Sequence, residues 1–103
     1  MNDFIIEITE AEIRRERDKS RELRKSRWWK NRLAKSRCHW CNETFLPEEL
    51  TMDHIVPVTR GGKASRNNVV PCCKECNSRK KYLLPMEWEE FLENARLNNG
   101  EER

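Results

Sequence analysis

Met52-Asp53-His54-Ile55-Val56-Pro57 is the stretch that decides the fold of this 103-residue chain. Apolar residues surround an adjacent carboxylate and imidazole, and a proline ends the run, so we predict a strand over residues 50–56. Neighbouring side chains of a strand point to opposite faces, so Asp53 and His54 can serve one site only where the strand ends or bends. A carboxylate suits Mg²⁺ or Mn²⁺, and a neutral imidazole can take a proton from water. For the pair taken alone, a structural histidine beside an aspartate remains the alternative.

Two Cys-x-x-Cys pairs flank this strand, and 31 residues separate the second cysteine of one pair from the first cysteine of the other. Zinc prefers four soft ligands in a tetrahedron, and each pair can supply two thiolates from a tight turn. We therefore predict a structural zinc site, with unrelated buried thiols as the alternative. Cys72 is the fifth cysteine and is expected to be a packed thiol. The predicted zinc ligands are Cys38, Cys41, Cys73 and Cys76.

The composition indicates a single small domain with a thin core. Charged residues make up 38% of the chain and hydrophobic residues 36%, and a domain of this size usually needs disulfides or a metal to stabilise it. No apolar run is long enough to cross a membrane, and the first ten residues lack the features of a secretory signal. We therefore expect a cytoplasmic protein, in a bacterial cell or encoded by a phage, whose thiols stay reduced.

The net charge of +3 is distributed unevenly. Residues 10–37 contain twelve Lys/Arg against five Asp/Glu, and residues 59–81 contain seven against one. Residues 85–103 are acidic, with two Lys/Arg and six Asp/Glu. Two basic segments around one candidate site favour a polyanion as partner, because each cation that neutralises a phosphate releases counterions. For the first segment an exposed helix of mixed charge remains the alternative.

The pattern of caps and breakers predicts the remaining elements. Thr9 and Glu12 form a capping box, from which a helix should run to about Lys25. Its apolar stripe is poor, so we expect it to be largely exposed or to lie against DNA. Ser26 is the expected cap of a second helix over residues 27–35. Further helices are predicted over residues 73–84 and 86–97, and short strands over 44–46 and 69–70. These elements divide the chain into a basic helical extension (1–37), a core (38–84) and a C-terminal helix and tail (85–103).

In this core the chain resembles the HNH family of the ββα-metal nucleases. The resemblance covers about residues 38–81 and contains every element of the family pattern in order. It implies an α+β fold, with a zinc-stapled ββα-metal core between a long basic N-terminal helix and a C-terminal helix. The matching stretches are Asp53-His54-Ile55-Val56-Pro57, Gly61-Gly62, Asn68-Val69-Val70 and Cys73-Lys74-Glu75-Cys76-Asn77-Ser78-Arg79-Lys80.

The resemblance also implies a role for each matching polar residue. His54 would be the general base, and Asp53 and Asn77 would hold a divalent catalytic metal. Asn68 would orient the site by hydrogen bonding across the loop. The third position of the family motif is often histidine, and an amide oxygen there should favour Mg²⁺ or Mn²⁺ over transition metals.

The function implied by the resemblance is a metal-dependent DNA endonuclease that cuts one strand of double-stranded DNA per active site. A monomer would therefore nick DNA, and the nuclease would be of the small stand-alone bacterial or phage type. A non-catalytic zinc-containing module that binds nucleic acid is the main alternative, and an adaptor protein that retains the motif is another. The residues predicted to contact phosphates are Arg60, Arg79 and Lys80 near the site, and Arg14, Arg17, Arg21 and Arg24 on the first helix.

Overall fold

The computed structural model describes residues 7–98, which form an α+β fold of four helices and a two-stranded antiparallel sheet. The domain bounds predicted at 1 and 103 therefore extend beyond the described residues. Three single 3₁₀ turns lie at Pro47–Glu49, Val58–Arg60 and Arg66–Asn68. In chain order the elements are α1 (Glu10–Arg24), α2 (Arg27–Leu33), β1 (Leu50–His54), β2 (Val69–Cys73), α3 (Lys74–Lys80) and α4 (Pro85–Asn98).

The two strands form a hairpin in which Leu50 pairs with Cys73 and His54 with Val69. β1 ends at His54, two residues before the predicted end. The Asn68 side chain accepts from the Val56 amide at 2.9 Å and so replaces the strand ladder there. The loop between the strands requires glycine at position 62, because a Cβ would lie 1.7 Å from the Val56 carbonyl oxygen.

Capping residues start the first two helices as the sequence indicates. The Thr9 hydroxyl accepts from the Glu12 amide, and the Glu12 carboxylate accepts from the Thr9 amide, so the predicted capping box is confirmed. The Ser26 hydroxyl accepts from the Trp29 amide and starts α2. α1 is mostly exposed, as expected, but it buries two polar residues, Glu16 and Ser20, against the rest of the protein.

Three predicted elements differ from the structure. The strand expected over residues 44–46 is a single bridge between Arg37 and Thr44. The helix expected over 73–84 ends at Lys80, because Lys81 adopts a φ of 48° that leaves the helical region. The strand expected over 69–70 continues to Cys73, where it leads directly into α3.

The core consists of two small apolar clusters, each of which includes residues of both strands. One contains Leu50, the buried cysteines and Trp88, which α4 inserts with no exposed surface. The other contains Trp29, Met52 and Val69 and joins α2 to the sheet. Four of the six residues in the first cluster are cysteines, so bound metal would stabilise the core itself. Between residues 7 and 98 the longest apolar helical segment is too short to cross a bilayer.

Candidate active site and metal centre

The four predicted zinc ligands come together in the structure. Their sulfur atoms all lie within 4.8 Å of one another, and the Sγ atoms of Cys41 and Cys73 are 3.9 Å apart. Zinc–thiolate bonds of about 2.3 Å in a tetrahedron require sulfur atoms about 3.8 Å apart. The cluster therefore fits a metal ion such as zinc. Cys72 lies outside the cluster, buried, and its thiol donates to the Cys73 carbonyl, as expected of a packed thiol.

Backbone amides donate to two of the four sulfur atoms. The Trp40 amide donates to Cys38 Sγ at 3.4 Å, and the Cys76 amide donates to Cys73 Sγ at 3.4 Å. Burial raises the pKa of Cys38, but hydrogen bonds from backbone amides outweigh it and lower that pKa to about 7. Thiolate is the form that binds zinc, so these amides favour the ligand state of Cys38. Burial, the first cause in each case, raises the pKa values of Cys41 and Cys76.

A cleft of about 390 Å³ opens between α1 and the end of the hairpin. Asp53 and His54 reach it from β1 and Asn77 from α3, so the predicted general base and both predicted ligands of the catalytic metal share this cleft. The opposite wall is formed by arginines of α1, namely Arg17, Arg21 and Arg24. The arrangement combines acidic, basic and amide groups around one open space.

Asp53 is buried and held through one of its two carboxylate oxygens. Its Oδ2 accepts from the Trp40 indole N–H at 2.9 Å and lies 3.3 Å from Lys80 Nζ. Among residues 7–98, Oδ1 has no hydrogen-bond partner, which leaves it available to a cation. Trp40 belongs to no motif recognised in the sequence, although its place between Cys38 and Cys41 puts it near the site.

Lys80 lies inside the site rather than on the surface where a phosphate contact was expected. It is fully buried, and its ammonium donates to the His54 carbonyl at 3.0 Å as well as pairing with Asp53. The Trp40 ring lies 5.7 Å from the same nitrogen. The ammonium therefore compensates the buried carboxylate. Lys80 lies three residues after Asn77 on the same face of α3, and this spacing in the sequence could have placed it in the site.

Asn77 and Asn68 are each oriented by hydrogen bonds. The Asn77 side-chain amide donates to Thr51 Oγ1 at 3.4 Å, and its Oδ1 has no partner among the described residues. Asn68 Nδ2 donates to the carbonyls of Val56 and Lys63 at 3.1 and 2.8 Å. Asn68 thus bonds across the loop with the geometry that its predicted orienting role requires, and the role in the reaction stays a prediction.

His54 is half-buried, and its Nε2 lies 2.7 Å from the Ser20 hydroxyl oxygen of α1. Burial lowers the pKa of His54, helped by the positive charges of Arg24 and Lys80 and opposed by Asp53 and Glu16. The imidazole is therefore neutral near pH 7 and able to accept a proton. Sequence reasoning missed Ser20, since it lies 34 residues from His54 and belongs to no motif.

The remaining predicted phosphate contacts lie outside the cleft. Arg60 is 3.1 Å from the Glu87 carboxylate, and Arg79 is 2.8 Å from the Glu75 carboxylate. Arg14 lines a neighbouring hollow on α1. All three side chains are exposed, and their contacts with DNA stay predictions.

A family model described as HNH endonuclease matches residues 38–90, just over half of the chain. No match was found among curated proteins. The matched residues include both cysteine pairs, the Asp53-His54 pair, Asn68 and Asn77, and they extend into α4 as far as Trp88 and beyond. The members of this family are nucleases, so the substrate class is nucleic acid. The chain belongs to the HNH endonuclease family.

Proposed function

We propose that this protein is a metal-dependent endonuclease that hydrolyses phosphodiester bonds of double-stranded DNA. The observation that carries the proposal is the shared cleft of Asp53, His54 and Asn77, in which each side chain retains an unpartnered acceptor atom among the described residues. A protein that only binds DNA has no need of a buried carboxylate beside a neutral imidazole. One set of Asp53, His54 and Asn77 among the described residues supports cleavage of one strand per encounter by a monomer.

Asp53 and Asn77 would hold the catalytic metal through their oxygen atoms. Oxygen donors of this kind suit Mg²⁺ or Mn²⁺. Such an ion supplies positive charge that relieves the negative charge developing on the phosphate and on the leaving 3′ oxygen. Trp40 and Lys80 orient Asp53 by occupying its other oxygen. The separate cysteine cluster would hold zinc for a structural purpose only.

His54 would act as the general base. Its imidazole lines the cleft, and burial lowers its pKa so that the neutral form is present at physiological pH. The imidazole takes a proton from water, and the water oxygen forms a bond to phosphorus. The bond from phosphorus to the 3′ oxygen breaks, and that oxygen keeps the electron pair and is protonated by solvent water. A positioned base of this type contributes about 10²–10⁴-fold to the rate.

The arginine face of α1 would hold the DNA backbone over the cleft. Arg17, Arg21 and Arg24 are spaced at four and three residues, so they follow one side of the helix. Cations on such a face bind phosphates without reading sequence, which positions the duplex but does not select a target. The extension of residues 1–37 would therefore serve as the DNA-binding part of a cytoplasmic nuclease.

Incubation of zinc-loaded protein with supercoiled plasmid and Mg²⁺ or Mn²⁺ tests the proposal. The wild type should convert the plasmid to open circles, whereas His54→Ala should not, although it still retards DNA on a gel. His39→Ala is the matched control, because His39 is exposed and lies outside the cleft, and it should cut normally. Retardation without cutting by the wild type would favour a binding module and overturn the proposal.

A further inference from the structure

Ser20 of α1 lies outside the residues that match the family, yet it contacts the predicted general base directly. We propose that Ser20 is a positioning residue that fixes the tautomer of His54, so that Nδ1 is the nitrogen that accepts the proton from water. This inference deepens the proposed function and rests on it for its catalytic consequence. The geometry that carries it is independent of catalysis.

The first step concerns the single proton of the serine hydroxyl. Ser20 is 2% exposed, and its hydroxyl donates to the backbone carbonyl of Glu16 at 3.0 Å. A hydroxyl has one proton to donate and two lone pairs that accept. Because that proton is used on the carbonyl, the oxygen meets His54 Nε2 as an acceptor across 2.7 Å. Nε2 must therefore carry the hydrogen.

The second step concerns the imidazole. A neutral imidazole carries one N–H, so a protonated Nε2 leaves the lone pair on Nδ1. Among residues 7–98, Nδ1 of His54 has no hydrogen-bond partner, and the ring lines the cleft. With the opposite tautomer, Nδ1 would carry the proton, and the Ser20 hydroxyl would have to donate to Nε2 instead of to the Glu16 carbonyl. Only the arrangement with Nε2–H leaves a basic nitrogen for water.

The third step explains what holds Ser20 in place. Glu16, one turn earlier on the same face of α1, accepts from the Ala64 amide at 2.9 Å. Its carboxylate also lies 3.6 Å from Lys19 Nζ and 4.0 Å from Lys63 Nζ. These contacts tie α1 to the loop that follows β1. α1 therefore completes the active site with a hydroxyl, in addition to presenting its arginines.

Ser20→Val and Ser20→Thr form a matched pair for the test, because valine and threonine have the same β-branched shape and only threonine keeps the hydroxyl. Plasmid nicking by Ser20→Val should show kcat lowered about tenfold or more, part of the contribution of a positioned base, with KM little changed. Ser20→Thr should recover most of that loss. Equal rates for the two variants would overturn the proposal. Ser20→Ala serves in place of valine if the latter does not fold.

A spectroscopic readout separates failure of this proposal from failure of the proposed function. In a His39→Gln background the chain has one histidine, so ¹⁵N NMR of the zinc-loaded protein without Mg²⁺ reports His54 alone. At a pH where the ring is neutral, Nε2 should carry the proton, and Ser20→Val should mix the tautomers. A proton on Nδ1 in the Ser20 protein, or an unchanged tautomer in Ser20→Val, would refute the role of Ser20 whether or not the protein cuts DNA.

Discussion

Replacing Lys80 by methionine would test whether a buried ammonium stabilises the Asp53 carboxylate and holds it in place. Lys80 is fully buried, and its Nζ lies 3.3 Å from Asp53 Oδ2 and 3.0 Å from the His54 carbonyl. Methionine keeps much of the length of the side chain but removes the charge. Asp53, 6% exposed, would then keep only the hydrogen bond from Trp40. Breaking a buried ion pair by removing one partner costs about 3–5 kcal/mol.

Urea unfolding of the zinc-loaded protein, without Mg²⁺, would measure this loss. The same substitution in an Asp53→Asn background should cost much less, because no unpaired carboxylate remains buried. Lys74→Met is the matched control, since Lys74 is exposed, and its effect should stay within about 0.5 kcal/mol. A loss below about 1 kcal/mol for Lys80→Met, or an equal loss in both backgrounds, would refute the compensation of Asp53 by Lys80.

Three further outcomes are expected. Cys41→Ser should lose the metal and much of its folded structure, because the sulfur cluster belongs to the core. Elemental analysis would measure the zinc content and circular dichroism the folding, and a folded variant with full zinc content would contradict this prediction. Activity should decline as the pH falls through the lowered pKa of His54, so the midpoint of the acidic limb of the kcat/KM profile should lie below pH 6.5. A midpoint above pH 6.5 would contradict a buried neutral base. The three arginines of the cleft are Arg17, Arg21 and Arg24. Replacing all three by glutamine should reduce the slope of the logarithm of the DNA-binding constant against log salt by up to about 2.7, whereas the control Arg14→Gln should reduce it less. An unchanged slope in filter binding would show that α1 does not contact DNA.

Features encoded within short stretches were predictable from the sequence. The spacing of the cysteines identified a cluster that the structure brings within 4.8 Å, since each pair lies in one turn. Both helix caps were predicted because Thr9 and Ser26 act on amides three residues away. A strand that contains the Asp-His pair was also predictable, but it ends at His54 rather than at Val56, because the Asn68 side chain binds the Val56 amide.

Contacts between distant segments were not predictable in this way. The docking of α1 against the hairpin and its loop could not be predicted, because it depends on two polar side chains. Helix packing is normally inferred from an apolar stripe. Glu16 meets the Ala64 amide 48 residues away, and Ser20 meets His54 34 residues away. The burial of Lys80 likewise depends on Trp40 and Asp53, which only the folded chain brings beside it.

The most direct test of the account is a crystal structure of zinc-loaded protein soaked in Mn²⁺, with anomalous scattering measured at the manganese edge. The account predicts one Mn²⁺ peak in the cleft, bound by an oxygen of Asp53 and the amide oxygen of Asn77, on the side of the cleft where His54 lies. Asp53→Asn, studied in the same way, should lower the occupancy of that peak. A cleft without Mn²⁺ at a concentration that supports DNA cleavage, or a peak held by other residues, would contradict the account.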